Sequence, residues 1–358
     1  MHFLKYLKFF TFVVLLILSS IATLNFFVDP AGLYYNKNLS SDKYASALLD
    51  SENGLFLPQG LFSERDLVKS LIKHSQPVDC VVIGSSHVMQ ISSVRNNSSL
   101  KDLCKTILNI SVSGASIEDH ITLAYMATKA KISNKIILGV DPWTLTYGKD
   151  IAWQAYIDDY GAARHEIFGK TANIPKSTML LITNLLNIKY TLRSIALLDR
   201  FMRNGLPTIN QLNVSESNHN KTIYDSYKLS DGSLVSIKTK KRPEVTVNSA
   251  RSHTYKVRGP VSLPAAVNDY QTLLEWIYSF KVSPYILLTP YHPLAWNYAD
   301  TRLVSVMNET EGIIKNVADN LKIKVYGSYN PSKVDCSKDE FFDIMHAKDT
   351  CLSKIKTD

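Results

Sequence analysis

Hydrophobic positions are densest at the start of the chain, where Phe9 to Val28 contains no charged residue and is rich in Phe, Leu, Ile and Val. A helix needs roughly 20 apolar residues to cross a bilayer, and this run just reaches that length. Lys5 and Lys8 precede the run and Asp29 follows it. Because positive charge stays in the cytoplasm, the pattern predicts one membrane-spanning helix with the remaining chain on the outer side.

A cleaved signal peptide is the alternative interpretation, because Ser20-Ile21-Ala22 has the small residues of a cleavage site. The apolar run continues beyond that point as far as Val28, which favours a retained anchor. We therefore divide the chain into a cytoplasmic tip with a signal anchor (1–28), a connecting segment (29–77) and a main domain (78–358).

From Val78 onward, short apolar runs alternate with the periodicity of amphipathic helices. The runs that predict strands cover 78–83, 106–112, 135–140, 284–288 and 323–326. The segments that predict helices cover 117–130, 301–321 and 346–355. Mostly apolar strands separated by helices are typical of a parallel sheet covered on both faces. The sequence therefore predicts an α/β fold, a three-layer α/β/α sandwich around a central parallel sheet of about five strands.

A long insertion, from about 144 to 266, separates the third predicted strand from the fourth. Its first half has a helical pattern and is strongly apolar from Met179 to Leu198. Its second half is polar, with a turn predicted at Ser230-Asp231-Gly232-Ser233 and short β-like runs around Val245 to Val247. The aliphatic and aromatic content argues against a flexible linker, so we interpret the insertion as a cap beside the site.

The charge of the chain limits the classes of binding partner that we expect. The chain has 40 Lys and Arg residues against 32 Asp and Glu, a formal net charge of +8. The dense basic cluster is Lys238, Lys240, Lys241 and Arg242; a solvated loop is the simpler interpretation, and binding to an anionic polymer or to lipid headgroups is the alternative. Nothing resembles a nucleic-acid-binding module, and no His/Cys group has zinc spacing, so we expect no nucleic acid, no metal and no cofactor.

The four cysteines are Cys80, Cys104, Cys336 and Cys351. In an oxidising compartment they can form two disulfides, and free buried thiols are the alternative. Cys80 and Cys104 lie near the starts of strands that would be neighbours, and the other two bracket residues 343–346. The sequence leaves three pairings open.

Two short motifs carry the candidate chemistry. Gly84-Ser85-Ser86-His87 follows the first apolar strand, and Asp343 precedes His346 by one turn. A serine hydroxyl is barely nucleophilic at neutral pH and needs a base, and a histidine oriented by a carboxylate is such a base. The motifs together predict a Ser-His-Asp hydrolase or acyltransferase, although Ser86 as an ordinary helix N-cap is the plainer alternative.

These motifs resemble the SGNH (GDSL-like) hydrolase superfamily, in particular the membrane-anchored bacterial branch related to alginate O-acetylation and teichoic acid D-alanylation proteins. The resemblance covers about 78–355, interrupted by the insertion. It implies that Ser86 is the nucleophile, that His346 is the base and that Asp343 orients His346. It also implies that Gly114, at the end of the Asn109–Gly114 block, and Ser86 each lend a backbone N–H to the oxyanion hole.

The third block of the family usually has a Gly-x-Asn-Asp motif whose Asn donates to the oxyanion. Here Gly139-Val140-Asp141-Pro142-Trp143 contains no Asn, and a carboxylate cannot donate that bond unless it is protonated. Loss of such a donor can cost about 10²–10³ in rate. Residues at the same rim are candidates for binding the substrate, with plain packing as their alternative: His87, Asp141, Trp143, Tyr291 and His292.

The predicted anchor and the resemblance together lead us to expect a single-pass protein of the inner membrane whose C-terminal domain is periplasmic. The expected activity is O-acyl transfer, with acetyl as the expected group, to a surface or secreted polysaccharide. Because coenzyme A stays in the cytoplasm, the resemblance implies a multi-pass membrane acyltransferase that supplies the acyl group. Two alternatives remain: a periplasmic carbohydrate esterase or deacetylase, and a non-catalytic SGNH-like scaffold or glycan-binding protein.

Overall fold

The computed structural model describes residues 2–30, 34, 38–58, 62–95, 100–148, 152–169, 182–205, 208–215, 224–237, 244–251, 262–298 and 301–357. The main elements in chain order are α1 (His2–Val28), α2 (Asn38–Leu49), β1 (Leu55–Phe56), α3 (Glu64–His74), β2 (Cys80–Ile83), β3 (Ile107–Asn109), α4 (Ile117–Ala130), β4 (Lys135–Gly139), α5 (Ile157–Phe168), α6 (Ile188–Asn204), β5 (Ser226–Lys228), β6 (Leu234–Ser236), α7 (Val247–Arg251), α8 (Pro264–Ser279), β7 (Ser283–Leu288), α9 (Pro293–Tyr298), α10 (Thr301–Leu321), β8 (Val325–Gly327) and α11 (Asp349–Leu352).

The apolar N-terminal run forms a continuous helix, α1. By length and composition, α1 fits a single membrane span, and most of its surface is not covered by the rest of the protein. Among the described residues of α1, Asn25 near its C-terminal end is buried, and α1 contacts α6.

The five apolar strands predicted from the sequence form one parallel sheet, in the order β3-β2-β4-β7-β8. All four residues of β2 are buried, as are the last four of β4. Strands buried on both faces need apolar side chains in unbroken runs rather than in alternation, which is why the sequence pattern revealed them. The prediction of an α/β fold with a five-stranded parallel sheet is confirmed.

A second, three-stranded antiparallel sheet, in the order β1-β5-β6, joins the connecting segment to the insertion. The predicted turn at Ser230–Ser233 connects β5 to β6. The β-like runs predicted around Val245 to Val247 are wrong, because α7 begins at Val247. Thr246 and Ser249 exchange hydrogen bonds that cap this helix, and such capping overrides the β propensity of valine. The basic cluster Lys238, Lys240, Lys241 and Arg242 lies outside the described residues.

The helix predicted over 346–355 is also wrong, because only Asp349–Leu352 is helical. The carboxylate of Asp343 accepts the backbone N–H groups of Met345 and His346, both at 2.9 Å. Phe342 N–H donates to the carbonyl of His346 at 2.8 Å, which closes the turn. An Asp side chain that bonds the backbone two and three residues ahead competes with a helix for the same N–H groups. His346 therefore lies on a tight turn before the helix.

Candidate active site

Ser86 lies on the turn that follows β2, at the carboxyl end of a central strand. The turn passes very close to β4, since a Cβ on Gly84 would lie 2.7 Å from Val88 Cγ2 and 2.8 Å from the Gly139 carbonyl oxygen. Glycine, which has no Cβ, allows the two backbone segments to come this close. Residues 86–90 form turns, so the alternative of Ser86 as an α-helix N-cap is not what the structure has. Ser86 is half-buried, whereas its neighbour Ser85 is fully buried.

Ser86, His346 and Asp343 form a continuous hydrogen-bonded chain. Ser86 Oγ lies 2.9 Å from His346 Nε2, across a sequence separation of 260 residues. His346 Nδ1 lies 2.9 Å from both carboxylate oxygens of Asp343. A carboxylate accepts and does not donate, so Nδ1 carries the ring proton and Nε2 is left to accept the proton of the serine. The arrangement has the geometry of a nucleophile, a base and an orienting acid.

The ionisation of Asp343 suits this role. Burial alone would raise the pKa of Asp343, but the hydrogen bond and charge of His346, with the N–H groups of Met345 and His346, hold it well below its usual range. Asp343 is therefore a carboxylate at neutral and mildly acidic pH, as an acceptor for Nδ1–H must be.

Asn109 at the end of β3 holds the turn of residues 84–90, which we call the nucleophile turn after the predicted role of Ser86. Its amide Nδ2 donates to the carbonyls of Val88 and Ile91, both at 2.9 Å, and its Oδ1 accepts the N–H of Ser111 at 3.1 Å. The side chain is completely buried and uses both ends of its amide, so leucine or aspartate at this position would leave backbone groups without partners.

The segment that ends at Gly114 runs beside the nucleophile turn, because Val112 N–H donates to the carbonyl of Gly84 at 3.0 Å. Gly114 adopts a φ of 62°, which side chains with a Cβ rarely adopt. Within the described ranges, the backbone N–H groups of Ser86 and Gly114 donate to no protein acceptor. Both N–H groups therefore remain available to a ligand.

Asp141 forms a pair with His87. Asp141 Oδ1 lies 3.1 Å from His87 Nδ1, and both side chains are almost completely buried. The His87 ring lies edge-on to the His346 ring, with 5.0 Å between the centroids, and it also contacts Trp143 and Tyr291. His87 therefore lies between the Asp141 carboxylate and the ring of His346. The Asp141 carboxylate is an acceptor, so it supplies no hydrogen-bond donor at this position.

The remaining rim residues are also buried. Trp143 Nε1 donates to the carbonyl of Ala115 at 3.1 Å, and His292 N–H donates to the carbonyl of Ile344 at 3.2 Å. His292 thereby holds the turn that carries His346. Each of the five predicted substrate-binding side chains is at most 4 % exposed, so they form the wall behind the site; their contact with substrate stays a prediction.

Sequence reasoning missed two positioning residues. Gln90 Nε2 donates to the carbonyl of Ala347 at 2.8 Å, which links the nucleophile turn to the His346 turn. Glu64, at the start of α3, accepts both the N–H (2.6 Å) and the hydroxyl (2.9 Å) of Ser113, next to Gly114. Neither stands in a motif, and only the long-range contact gives either a function.

Asp231, in the insertion, supports the segment that follows the nucleophile turn. Its Oδ2 accepts the Ser92 hydroxyl at 2.6 Å and the Ser93 N–H at 2.8 Å, while Oδ1 accepts the Ser233 N–H at 3.0 Å. Asp231 was predicted to be a turn residue; it holds its own turn and also the segment after the nucleophile turn. No group of His, Cys, Asp and Glu that could hold a metal ion is found among the residues with described placement.

Comparison with protein-family models finds no match, and no curated protein matches the chain significantly. Interpretation of the site therefore depends on its own geometry, and the resemblance to the SGNH superfamily stays a prediction.

The cysteines are paired as Cys80–Cys104 and Cys336–Cys351. They close loops with sequence separations of 24 and 15 residues. Loop-closure entropy of this size stabilises a fold by about 3 kcal/mol per bridge. The second bridge spans the turn of Asp343 and His346, whereas the first joins β2, already held by two neighbouring strands, to the segment before β3.

We expect each double Cys→Ala variant to lose about 3 kcal/mol of unfolding free energy in urea titrations. Only the Cys336→Ala/Cys351→Ala variant should also shift the imidazole NMR signals of His346 under conditions where both variants remain folded. Equal shifts in the two variants would contradict a specific role of the second bridge in holding His346.

Proposed function

We propose that this protein is a membrane-anchored serine O-acyltransferase of the SGNH type that modifies a cell-surface or secreted polysaccharide outside the cytoplasm. The observation that carries the proposal is the hydrogen-bonded chain from Ser86 through His346 to Asp343. A non-catalytic scaffold would have no need for this geometry. The apolar helix α1 supports membrane anchoring, and the periplasmic face of an inner membrane is the proposed location.

In the proposed reaction, Ser86 Oγ attacks the carbonyl carbon of the acyl donor while His346 Nε2 takes the hydroxyl proton. Asp343 stabilises the imidazolium that results. His346 then returns the proton to the leaving group, the donor's bond to that group breaks, and acyl-Ser86 remains. A sugar hydroxyl next attacks the acyl-serine with His346 again as base, and the ester passes to the sugar as Ser86 regains its proton.

Two backbone N–H groups, from Ser86 and Gly114, are proposed to bind the developing oxyanion. Their lack of protein acceptors in the described structure supports this assignment. With no Asn in the third block, the hole has one donor fewer than the SGNH family pattern. A missing donor is worth about 10²–10³ in rate, so we expect a slow enzyme.

The finer architecture belongs to the same proposal. A three-layer α/β/α sandwich is supported by separate core clusters on the two faces of the sheet. On one face α4 and α8 pack against β2 and β7 and against each other, and on the other Leu352 of α11 belongs to the cluster that contains Val82 and Ile137. The 144–266 insertion is proposed as a cap beside the site. Its β5–β6 hairpin contacts the nucleophile turn, since Leu234 N–H donates to the carbonyl of Met89 at 2.7 Å. A multi-pass membrane acyltransferase is the proposed source of the acyl group.

Transfer and hydrolysis differ only in whether a sugar or water attacks acyl-Ser86. The full-length protein in detergent is incubated with p-nitrophenyl acetate and increasing concentrations of de-acetylated bacterial oligosaccharides. We expect acetylated oligosaccharide, detected by mass spectrometry, to replace free acetate as the acceptor concentration rises. Release of acetate alone at every acceptor concentration would instead identify a carbohydrate esterase.

A further inference from the structure

The helix α6 presents three different faces. One face is buried against the protein and carries Tyr190, Ser194 and Leu197. A second face, at the spacing i, i+4, i+7, i+10 and i+14, is apolar yet exposed; we call it the apolar patch, and its members are Ile188, Leu192, Ile195, Leu198 and Met202. Exposure of these five side chains ranges from 39 to 78 %.

The third face of α6 is basic. Lys189, Arg193 and Arg203 are exposed, and Arg200 lies near them on the same side of the helix. The apolar stripe is about 120° wide and is interrupted by Asp199, whose carboxylate accepts a hydrogen bond from Arg203 Nε at 2.9 Å. Lys and Arg border the stripe on one side and the buried face borders it on the other, a pattern that fits a helix lying in the plane of a membrane interface.

The buried face of α6 is fixed to the end of α1. Asn25 Nδ2 donates to the carbonyl of Leu185 (2.7 Å) and to Thr191 Oγ1 (2.8 Å), and Asn25 Oδ1 accepts the Ser194 hydroxyl at 2.8 Å. One turn later, the Tyr190 hydroxyl donates to Asp29 Oδ1 at 2.6 Å. These polar contacts give α6 a fixed position relative to α1.

The position along α1 at which α6 is held determines how deep α6 lies in the bilayer. The charge-free run of α1 ends at Val28, and about 20 residues at 1.5 Å each just cover a hydrocarbon core of about 30 Å. Asn25 and Asp29 therefore lie at the outer boundary of that core. Because α6 is fixed there, its exposed apolar patch is at the depth where lipid acyl chains begin.

We propose that α6 lies in the outer interface of the bilayer that α1 spans, with the apolar patch among the lipid acyl chains and the basic face toward the headgroups. The occupant of the patch is lipid, because α6 contacts the end of the proposed membrane span, where Phe26 and Phe27 of α1 are also exposed, at 38 and 64 %. The inference depends on α1 being a retained membrane span and is independent of catalysis. Its consequence is that the main domain is held at a fixed orientation to the bilayer rather than swinging on a single helix.

The test measures the depth of single fluorescent labels. All four native cysteines are in disulfides, so an introduced cysteine is the free thiol. Leu192→Cys and Met202→Cys report on the patch, Arg193→Cys is the matched control on the basic face, and Leu15→Cys reports on the span. Each full-length variant is labelled with bimane and reconstituted in phosphatidylethanolamine–phosphatidylglycerol vesicles that carry a nitroxide at a shallow or a deep acyl position.

We expect the shallow nitroxide to quench labels at 192 and 202 about twofold or more over the label at 193, since the buried face of an interfacial helix sits about 5–10 Å deeper. The deep nitroxide should quench the fluorescence of the label at 15. Equal, weak quenching at 192, 202 and 193 with normal quenching at 15 would overturn the proposal. Labels at 192 and 202 shielded from water yet not quenched would overturn it in favour of a protein covering the patch. Absence of quenching at 15 would overturn the proposal, because α1 would then not span the bilayer. That result would not bear on the catalytic proposal.

Discussion

We expect that replacing Ser86 by alanine removes formation of the proposed acyl-enzyme and lowers ester turnover by about 10³- to 10⁶-fold. The expected loss is large because Ser86 Oγ is the hydroxyl oxygen that lies 2.9 Å from His346 Nε2. The measurement is intact mass after incubation with an activated acetyl ester, which gives one added acetyl group in the wild type and none in Ser86→Ala.

Ser85→Ala is the matched control. Ser85 precedes the nucleophile and is fully buried, and its Oγ accepts the N–H of His87 at 3.2 Å. Loss of one such hydrogen bond costs about 1 kcal/mol, so turnover should fall by less than about tenfold and the acetyl adduct should persist. An adduct of equal yield in wild type and Ser86→Ala would show that the nucleophile is another residue.

The strands and long helices could be predicted because local sequence determines them. Helix α4 has the predicted bounds because Ser116 and Asp119 form a capping box at its start and Lys131 adopts a left-handed conformation at its end. Helix α10 also agrees with its predicted bounds, 301–321. The ends of strands were less accurate, since β3 ends at Asn109, although Ile110 N–H still donates to the carbonyl of Val82 at 2.9 Å.

The rest of the site could not be predicted because it is built from contacts between distant segments. Nothing local in the sequence indicates that Asp141 pairs with His87 or that Gln90 reaches the carbonyl of Ala347. The turn of His346 was mistaken for helix because the competing hydrogen bonds from Asp343 are invisible to periodicity. Similarly, the apolar positions of α6 predict a helix but not which of them lie against α1.

Replacing Asp343 by asparagine is expected to lower kcat by about 10⁴-fold while leaving the fold intact. The asparagine oxygen can still accept the N–H groups of Met345 and His346, so the turn remains. Its amide NH₂, however, can be presented to Nδ1, which then acts as an acceptor, and the ring proton moves to Nε2. A protonated Nε2 cannot take the proton of Ser86, so the loss appears in kcat rather than in KM.

The same variant also changes the pH dependence of stability, which separates the two roles of the carboxylate. In the wild type the folded pKa of Asp343 lies below its unfolded value, so the carboxylate stabilises the fold above the unfolded pKa, about 3.9, and this contribution is lost as pH falls through the folded pKa. Asp343→Asn should therefore lose less stability than wild type between neutral and strongly acidic pH, as measured by urea unfolding.

Asp339→Asn serves as the control, because Asp339 is an exposed acid four residues upstream, and the hydrogen bonds of the His346 ring in the described part of the chain are to Ser86 and Asp343. Its kcat should match that of the wild type. If Asp343→Asn keeps kcat within tenfold of the wild type while circular dichroism shows an intact fold, Asp343 does not orient the imidazole. His346 would then act with Ser86 as a dyad, and the ring contact with His87 would become the main constraint on its position.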